Sequence, residues 1–191
     1  ECLGNVQFGI DYLANPSGYE LGENVAIIGM GNAAMDVART ALRNGAEHVT
    51  LYARGNEIAA SSHEVSYATL DGAEFVFGMQ IDSINEKGPV FKKTILDEEE
   101  NIIGEEEELI QVEADSTIIS ISQGPRKKLI RTTFGLEGSD KGLLIVDDNY
   151  MTTKPGVFAA GDVITGSKTV VHAVDGAKKA AEAMIQYMEN L

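Results

Sequence analysis

Cysteine, tryptophan and histidine are scarce in this sequence of 191 residues, which has one cysteine, no tryptophan and three histidines. The single cysteine, Cys2, excludes an intramolecular disulfide, a CxxC redox pair and a cysteine-rich metal site within the chain. His48, His63 and His172 are scattered without HxxxH or HxxE spacing, so we expect no metal site. The longest apolar runs are only strand-length, and neither a transmembrane span nor a signal peptide is visible.

Positive charge is also scarce, and the formal net charge is −15. Such a chain repels the phosphates of nucleic acids and of anionic membrane surfaces, so we expect neither as a partner. Eight carboxylates fall in one run, DEEENIIGEEEE (97–108), and they account for more than half of the net charge. This run is compatible with an acidic docking face, but the flanking segments FKKTIL and LIQV favour the solvated tip of a hairpin.

The composition is otherwise that of an ordinary globular protein, with 43% hydrophobic and 24% charged residues. The length allows one or two small domains with a sizeable core. Because the chain begins with Glu1 rather than Met, we expect it to be part of a longer protein. We also expect a cytoplasmic protein.

The middle of the chain contains a βαβ pattern. NVAIIG (24–29) predicts a buried strand, NAAMDVARTALRN (32–44) a helix, and HVTLYAR (48–54) a second strand. Other patterns around this unit predict a short helix at 6–16, a helix at 61–72, a strand at 73–78, an antiparallel hairpin over 90–112 and a strand at 116–122.

The last third of the chain has a different pattern. GLLIVD (142–147) and GVFAAGD (156–162) predict strands, and TVVHAVDGAKKAAEAMIQYM (169–188) predicts a long helix. Apolar residues recur along this helix at helical spacing, and we expect the stripe to be core: Val170, Val174, Ala177, Ala181, Met184 and Met188.

The turn between the first predicted strand and its helix fits the dinucleotide fingerprint in its GxGxxA form. Gly29 permits the tight turn, Gly31 lets the backbone approach a pyrophosphate, and Ala34 allows the helix to pack closely on the strand. The pyrophosphate would lie against N–H groups at the start of the helix, favoured by the helix dipole. We therefore expect Asn32 and Ala33 to contribute to cofactor binding as well.

The residues after the second strand bear on the choice of nucleotide. An NAD site usually has a carboxylate there to accept the ribose 2′-OH, but this chain has Ala53 followed by Arg54. An arginine holds a 2′-phosphate, so the pattern favours NADP over NAD. NAD stays open, because Arg54 is also compatible with a plain surface arginine and Glu57 with a contact to the ribose.

The segment PGVFAAGDVITGSKTVVHAVDGAKKAAEAM (155–184) closely resembles the C-terminal flavin-binding signature of the two-dinucleotide-binding flavoprotein reductases. The whole chain resembles the pyridine-nucleotide reductase module of the glutamate synthase small subunit family. This resemblance implies that residues 27–54 bind NADPH and that Gly161 and Asp162 contact the ribityl and pyrophosphate of FAD. It also implies that a TVV segment lies beside the isoalloxazine ring: Thr169, Val170 and Val171.

The chain departs from this family in three places. The family often has two adjacent arginines where this chain has Arg54 and Gly55, and SISQGP (120–125) differs from the family's AIGQxP. Most importantly, the family's N-terminal half carries a first GxGxxG that holds the ADP part of FAD, and these 191 residues contain no such segment. The resemblance therefore covers only the second half of the family's proteins.

Together these patterns predict an α/β protein with a Rossmann-type NAD(P)-binding domain, containing a parallel sheet and an antiparallel hairpin, and the C-terminal portion of a FAD-binding Rossmann-like domain. The expected divisions are a connecting helix and linker at 1–20, the NAD(P) domain at 21–115 and the FAD portion at 116–191.

The expected function is that of a fragment of an NAD(P)H-dependent flavoprotein oxidoreductase. Hydride would pass from NADPH to FAD, and electrons would go on to an iron–sulphur or flavin partner subunit, as the resemblance implies. No catalytic acid or base is assigned, because in flavin chemistry the protein supplies position and electrostatics. We expect the isolated chain to be inactive. The alternative is a non-catalytic NAD(P)-binding regulatory module.

Overall fold

The computed structural model describes residues 3–121, 124, 125 and 127–190. The chain divides into two compact units, Glu1–Ser122 and Gln123–Leu191. The strands in the described residues are β1 (Val6–Phe8), β2 (Asn24–Ile28), β3 (His48–Tyr52), β4 (Glu74–Val76), β5 (Met79–Asn85), β6 (Gly88–Leu96), β7 (Ile102–Glu105), β8 (Ile110–Gln111) and β9 (Ser116–Ile119). The helices are α1 (Gly9–Ala14), α2 (Asn32–Arg43), α3 (Ser62–Asp71), α4 (Lys128–Thr132), α5 (Asp162–Thr165) and α6 (Val170–Glu189).

A five-stranded parallel sheet forms the centre of the first unit, in the order β1-β9-β2-β3-β4. The strands end level with one another, since Ile28 at the end of β2 is in register with both Tyr52 and Ile119. In such sheets ligands bind outside the carboxyl ends of the strands. The register therefore brings the turn after β2, the loop after β3 and the end of β9 to the same edge.

Strand β2 is buried on both faces, which explains its unbroken run of apolar residues. Val25 and Ile27 belong to one hydrophobic cluster, with the buried side of α2. Ala26 and Ile28 belong to a second cluster, which includes Phe91 of the antiparallel sheet. The parallel sheet is thus covered by helices on one face and by a second sheet on the other.

The second sheet of this unit is antiparallel and contains β5, β6 and β7, with β8 also paired to β6. The turn between β6 and β7 lies in the acidic run, and its carboxylate-bearing residues are exposed apart from the half-buried Asp97. The Asp97 carboxylate accepts hydrogen bonds from the backbone N–H and side-chain amide of Asn101 and from the N–H of Glu99, and these bonds lower its pKa. The predicted antiparallel hairpin with a solvated acidic tip is confirmed.

The expected boundaries at residues 20 and 115 do not match the two units. Val6–Phe8 forms a strand rather than the start of the predicted helix, and it pairs with β9, which lies between β1 and β2. The main division therefore falls after residue 122, and residues 1–20 belong to the first unit. Strand β9 belongs there because both of its neighbours in the sheet come from that unit.

The second unit contains the predicted long helix but not the two predicted strands. The segments 142–147 and 156–162 take part only in isolated bridges, such as Leu144 with Gly138 and Phe158 with Met151. In this small unit, single bridges are thus found where regular strand pairing was predicted. Within the described residues, no helix is both long and apolar enough to cross a membrane.

The prediction that the apolar stripe of α6 is core is wrong. Val170 is 79% exposed and Met188 is 62% exposed, whereas Gly176 and Ala180 are buried. The inward face carries small residues together with Tyr187, whose ring packs edge-on against Phe158. Small side chains let this face of the helix lie close to its neighbours. The larger aliphatic residues lie on the opposite face, which is exposed.

Candidate functional site

The turn after β2 has a backbone conformation that calls for glycine. Gly29 has a φ of +123°, and its N–H donates to the carbonyl of Tyr52 at 2.9 Å. A Cβ at this position would lie 2.4 Å from the carbonyl oxygen of Ser120 at the end of β9. Gly29 therefore allows three neighbouring strand ends to meet at the start of α2.

Gly31 shows the opposite environment. A Cβ built on it meets nothing within 4 Å, and its backbone is extended, with φ −89°. In the described part of the chain, no hydrogen bond takes up the N–H groups of Gly31, Asn32 and Ala33. Ala34, one residue further on, is fully buried. An open space beside N–H groups at a helix start fits the pyrophosphate of a dinucleotide.

The side chain of Asn32 holds a neighbouring loop. Its Oδ1 accepts the N–H of Ser61 at 2.8 Å, and the N–H of Ala60 donates to the carbonyl of Met30 at 3.0 Å. The end of the loop that follows β3 is therefore fastened to the glycine turn. Sequence reasoning grouped Asn32 with the cofactor contacts and missed this role of its amide.

The loop after β3 begins at the same edge. Tyr52 is buried and stacks on Phe91 with ring centroids 4.6 Å apart, and this burial raises the pKa of its phenol. The side chain of Arg54 is exposed, and it forms no ion pair with a carboxylate among the described residues. Glu57 is also exposed. The guanidinium is thus available to an anionic group near the adenosine ribose.

The second unit contains the residues expected at the flavin. Gly161 has φ 75° and ψ −154°, a combination open almost only to glycine. The exposed carboxylate of Asp162 accepts the N–H of Lys168 at 3.2 Å. Thr169 caps α6, and its Oγ1 lies 2.7 Å from Nδ1 of His172. Val171, at the start of the helix, is 76% exposed.

These residues fit a cofactor that lies over the start of α6. The backbone at Gly161 has no side chain to block an approach, and Asp162 keeps a carboxylate oxygen for ribityl hydroxyls. The exposed aliphatic surface at the helix start suits a flat ring. Their binding roles stay predictions.

The structure groups the expected residues within each unit. Gly29, Gly31 and Arg54 lie at one sheet edge, and a second group surrounds the start of α6. Ser122 and Gln123 of the SISQGP segment lie outside the described residues, as does Cys2. Sequence reasoning missed the contact of the Ser120 carbonyl with the glycine turn, because the two segments are far apart in the chain. Among the described residues, no cluster of His, Cys, Asp or Glu is arranged to hold a metal ion.

A parallel sheet with a glycine turn at its carboxyl edge defines a dinucleotide-binding protein of the Rossmann class. The family model for pyridine nucleotide-disulphide oxidoreductases matches residues 4–177. The chain therefore belongs to this family.

Curated relatives are similar over most of the chain. The glutamate synthase [NADPH] small chain of Escherichia coli is 31% identical over 88% of this chain and 39% of its own length. The NAD-dependent dihydropyrimidine dehydrogenase subunit PreT of the same species is 31% identical over 97% of this chain and 43% of its own length. This chain thus spans about two fifths of these relatives.

Solved structures with the same fold include two thioredoxin reductases. The enzyme from T. acidophilum has a TM-score of 0.71 at 22% identity, covering all of this chain and 62% of that one. The enzyme from Lactococcus lactis has a TM-score of 0.72 at 18% identity, over 98% of this chain and 59% of that one. At these identities the likeness shows the fold alone, and the predicted α/β Rossmann architecture is confirmed.

Proposed function

We propose that this chain is the NAD(P)H-binding part of a flavoprotein oxidoreductase that resembles the glutamate synthase small chain. When bound, NADPH and FAD supply hydride-transfer chemistry. The chain's own contribution is to bind and orient the two cofactors. Electrons would then pass to an iron–sulphur or flavin partner subunit.

One observation carries this proposal, the contrast between the two glycines of the turn. Gly29 is packed so tightly against Ser120 that a side chain has no room, whereas Gly31 borders open space. Packing accounts for glycine at position 29 but not at position 31. A ligand that needs close access to the backbone accounts for the second glycine.

NADPH is the nucleotide that the loop after β3 favours. Arg54 is exposed, and neither Ala53 nor Gly55 can repel a 2′-phosphate. The names of the relatives include both nucleotides, NADPH for the glutamate synthase small chain and NAD for PreT. We therefore rest the choice of NADPH on Arg54.

The flavin part of the proposal is supported by the second unit. A module that binds only NAD(P) has no use for a glycine-only conformation at Gly161 followed by an exposed Asp162. The exposed aliphatic residues at the start of α6 also favour a flavin site. We assign five residues of the second unit to FAD binding: Gly161, Asp162, Thr169, Val170 and Val171.

A pair of glycine variants tests the nucleotide site. Gly31→Val fills the space beside the helix start, and we expect it to weaken NADPH binding at least about tenfold through lost phosphate contacts. Gly4→Val is the matched control, because Gly4 also borders open space and allows an ordinary side chain. Calorimetric titration of NADPH measures both.

The proposal fails if the unchanged, folded chain shows no binding at millimolar NADPH. It also fails if Gly31→Val and Gly4→Val bind NADPH equally well. Circular dichroism of each variant confirms that a loss of binding is not a loss of fold.

A further inference from the structure

The backbone at Arg54 is held by a side chain from the antiparallel sheet. The hydroxyl Oγ1 of Thr94, in β6, donates to the carbonyl oxygen of Arg54 at 2.8 Å. These residues are forty positions apart in the chain. A strand outside the βαβ unit therefore reaches the loop that follows β3.

Both peptide groups that flank the Cα of Arg54 are anchored. The carbonyl of Ala53 accepts the N–H of Met79 at 2.8 Å, and the carbonyl of Arg54 accepts the Thr94 hydroxyl. A peptide group is planar, so two fixed groups set both backbone torsions at the residue between them. They thereby set the direction in which the Arg54 side chain leaves the backbone.

The two anchors differ in what they depend on. The first joins two main-chain groups and forms with any residue other than proline at position 79. The second needs a hydroxyl at position 94. In the described structure, residues 55–59 make no hydrogen bond, so the Thr94 bond is the last anchor before Ala60.

Thr94 is itself held firmly. Its N–H donates to the carbonyl of Gly78 at 2.9 Å, and it pairs with Glu105 of β7. Its β-branched side chain has few rotamers, so its hydroxyl has a well-defined direction. Thr94 is thus a rigid donor to the start of a loop in which, among the described hydrogen bonds, residues 55–59 take part in none.

We propose, on the basis of the proposed function, that Thr94 is a positioning residue for nucleotide choice: its bond to the Arg54 carbonyl aims the guanidinium at the 2′-phosphate of NADP. Without that bond the backbone torsions of Arg54, and with them the direction of its Cα–Cβ bond, are less restricted. A fixed direction matters because phosphate recognition by a guanidinium is directional.

The test compares the affinities for NADP⁺ and NAD⁺ of the unchanged chain and of five variants. Thr94→Val keeps the shape of the side chain but removes the hydroxyl, and we expect it to lower the NADP⁺/NAD⁺ preference about fivefold, as for one lost hydrogen bond. Thr94→Ser restores the donor and keeps the preference. Thr69→Val is the matched control, because it removes a similar hydroxyl-to-carbonyl bond within α3 of the same unit.

Arg54→Ala distinguishes the role of Thr94 from the role of Arg54. If Arg54→Ala lowers the preference and Thr94→Val does not, the role of Thr94 is overturned while that of Arg54 stands. If the unchanged chain binds the two nucleotides equally, the roles of Thr94 and Arg54 in nucleotide choice are overturned. If it binds neither nucleotide, the proposed function is overturned as well. Thr94→Ala repeats the loss of the hydroxyl with a different shape, and 2′,5′-ADP against 5′-AMP repeats the comparison without the nicotinamide.

Discussion

Arg54 and Gly55 lie at the position where the family often has two arginines. Gly55 has room for a side chain, because a Cβ there meets nothing within 4 Å and its φ lies outside the left-handed region. Its glycine is therefore not needed for the fold. In the proposed site, the preference for NADPH would depend on one guanidinium, and position 55 has room for a second.

Removing the Arg54 guanidinium tests that view. We expect Arg54→Ala to weaken NADPH binding by about 1–3 kcal/mol and to leave NADH binding nearly unchanged, because only NADPH carries the 2′-phosphate. Calorimetric titration with both nucleotides measures the difference. Equal losses for the two would show that Arg54 is only a surface charge.

Adding the second arginine provides the complementary test. We expect Gly55→Arg to strengthen NADPH binding by about 1 kcal/mol, because it adds an exposed charged contact without a steric conflict. NADH binding serves as the internal reference. An equal gain for NADH would point to general electrostatic attraction in this acidic chain and not to contact with the 2′-phosphate.

At the scale of elements, local patterns predicted the βαβ unit and its glycine turn closely. The apolar run of β2, the helical spacing of α2 and the glycines between them all belong to neighbouring residues. Contacts across long stretches of chain were not predictable in this way. Strand β9 was expected in the FAD portion, whereas it pairs with β1 and β2 of the first unit, and its own sequence does not show which strands it pairs with.

The residues of the candidate site also differ in whether local sequence patterns could find them. Gly29, Gly31 and Arg54 follow strands, so a pattern could find them. Ser120 and Thr94 come from distant segments, and nothing in their neighbourhood shows that they face the turn or the loop. The face of α6 was also misjudged, since the apolar stripe that begins at Val170 was taken as buried, while the buried residues of the helix are Gly176 and Ala180.

Two neighbouring alanines of α6 test which face is buried. We expect Ala180→Glu to destabilise the protein by about 3 kcal/mol, because Ala180 is only 4% exposed and the new carboxylate would be buried without a partner. Ala181→Glu, on the exposed face, should change stability by less than about 0.5 kcal/mol. Urea unfolding of the two variants gives the comparison, and equal effects would contradict this assignment of faces.

At the scale of the whole molecule, the dinucleotide fingerprint occurs once in these 191 residues. The residues assigned to FAD are expected at its ribityl, isoalloxazine and, for Gly161 and Asp162, pyrophosphate parts, and the first GxGxxG that holds the ADP part in the family is not among these 191 residues. An ADP moiety without its phosphate contacts loses several kcal/mol of binding, and about 1.4 kcal/mol already changes affinity tenfold. Tight flavin binding by this chain alone is therefore not expected.

We expect this 191-residue chain, purified by itself, to be colourless and to catalyse no reduction of a dye by NADPH. Hydride transfer needs the two rings held in near-contact geometry, which an incomplete flavin site does not provide. A visible absorption spectrum and a dye-reduction assay with added FAD measure both properties. Stoichiometric yellow flavin, or turnover above that of free FAD, would refute this expectation.

The place of β9 between β1 and β2 has a consequence for how the protein is made. Gly29 is translated about ninety residues before Ser120, whose carbonyl closes the turn. At ~5–20 residues per second, this interval lasts ~5–18 s. During that time β2 has an open edge and the turn is incomplete. Nucleotide therefore cannot stabilise the completed turn until β9 has been made, and the unpaired edge of β2 is open to pairing with other strands during this interval.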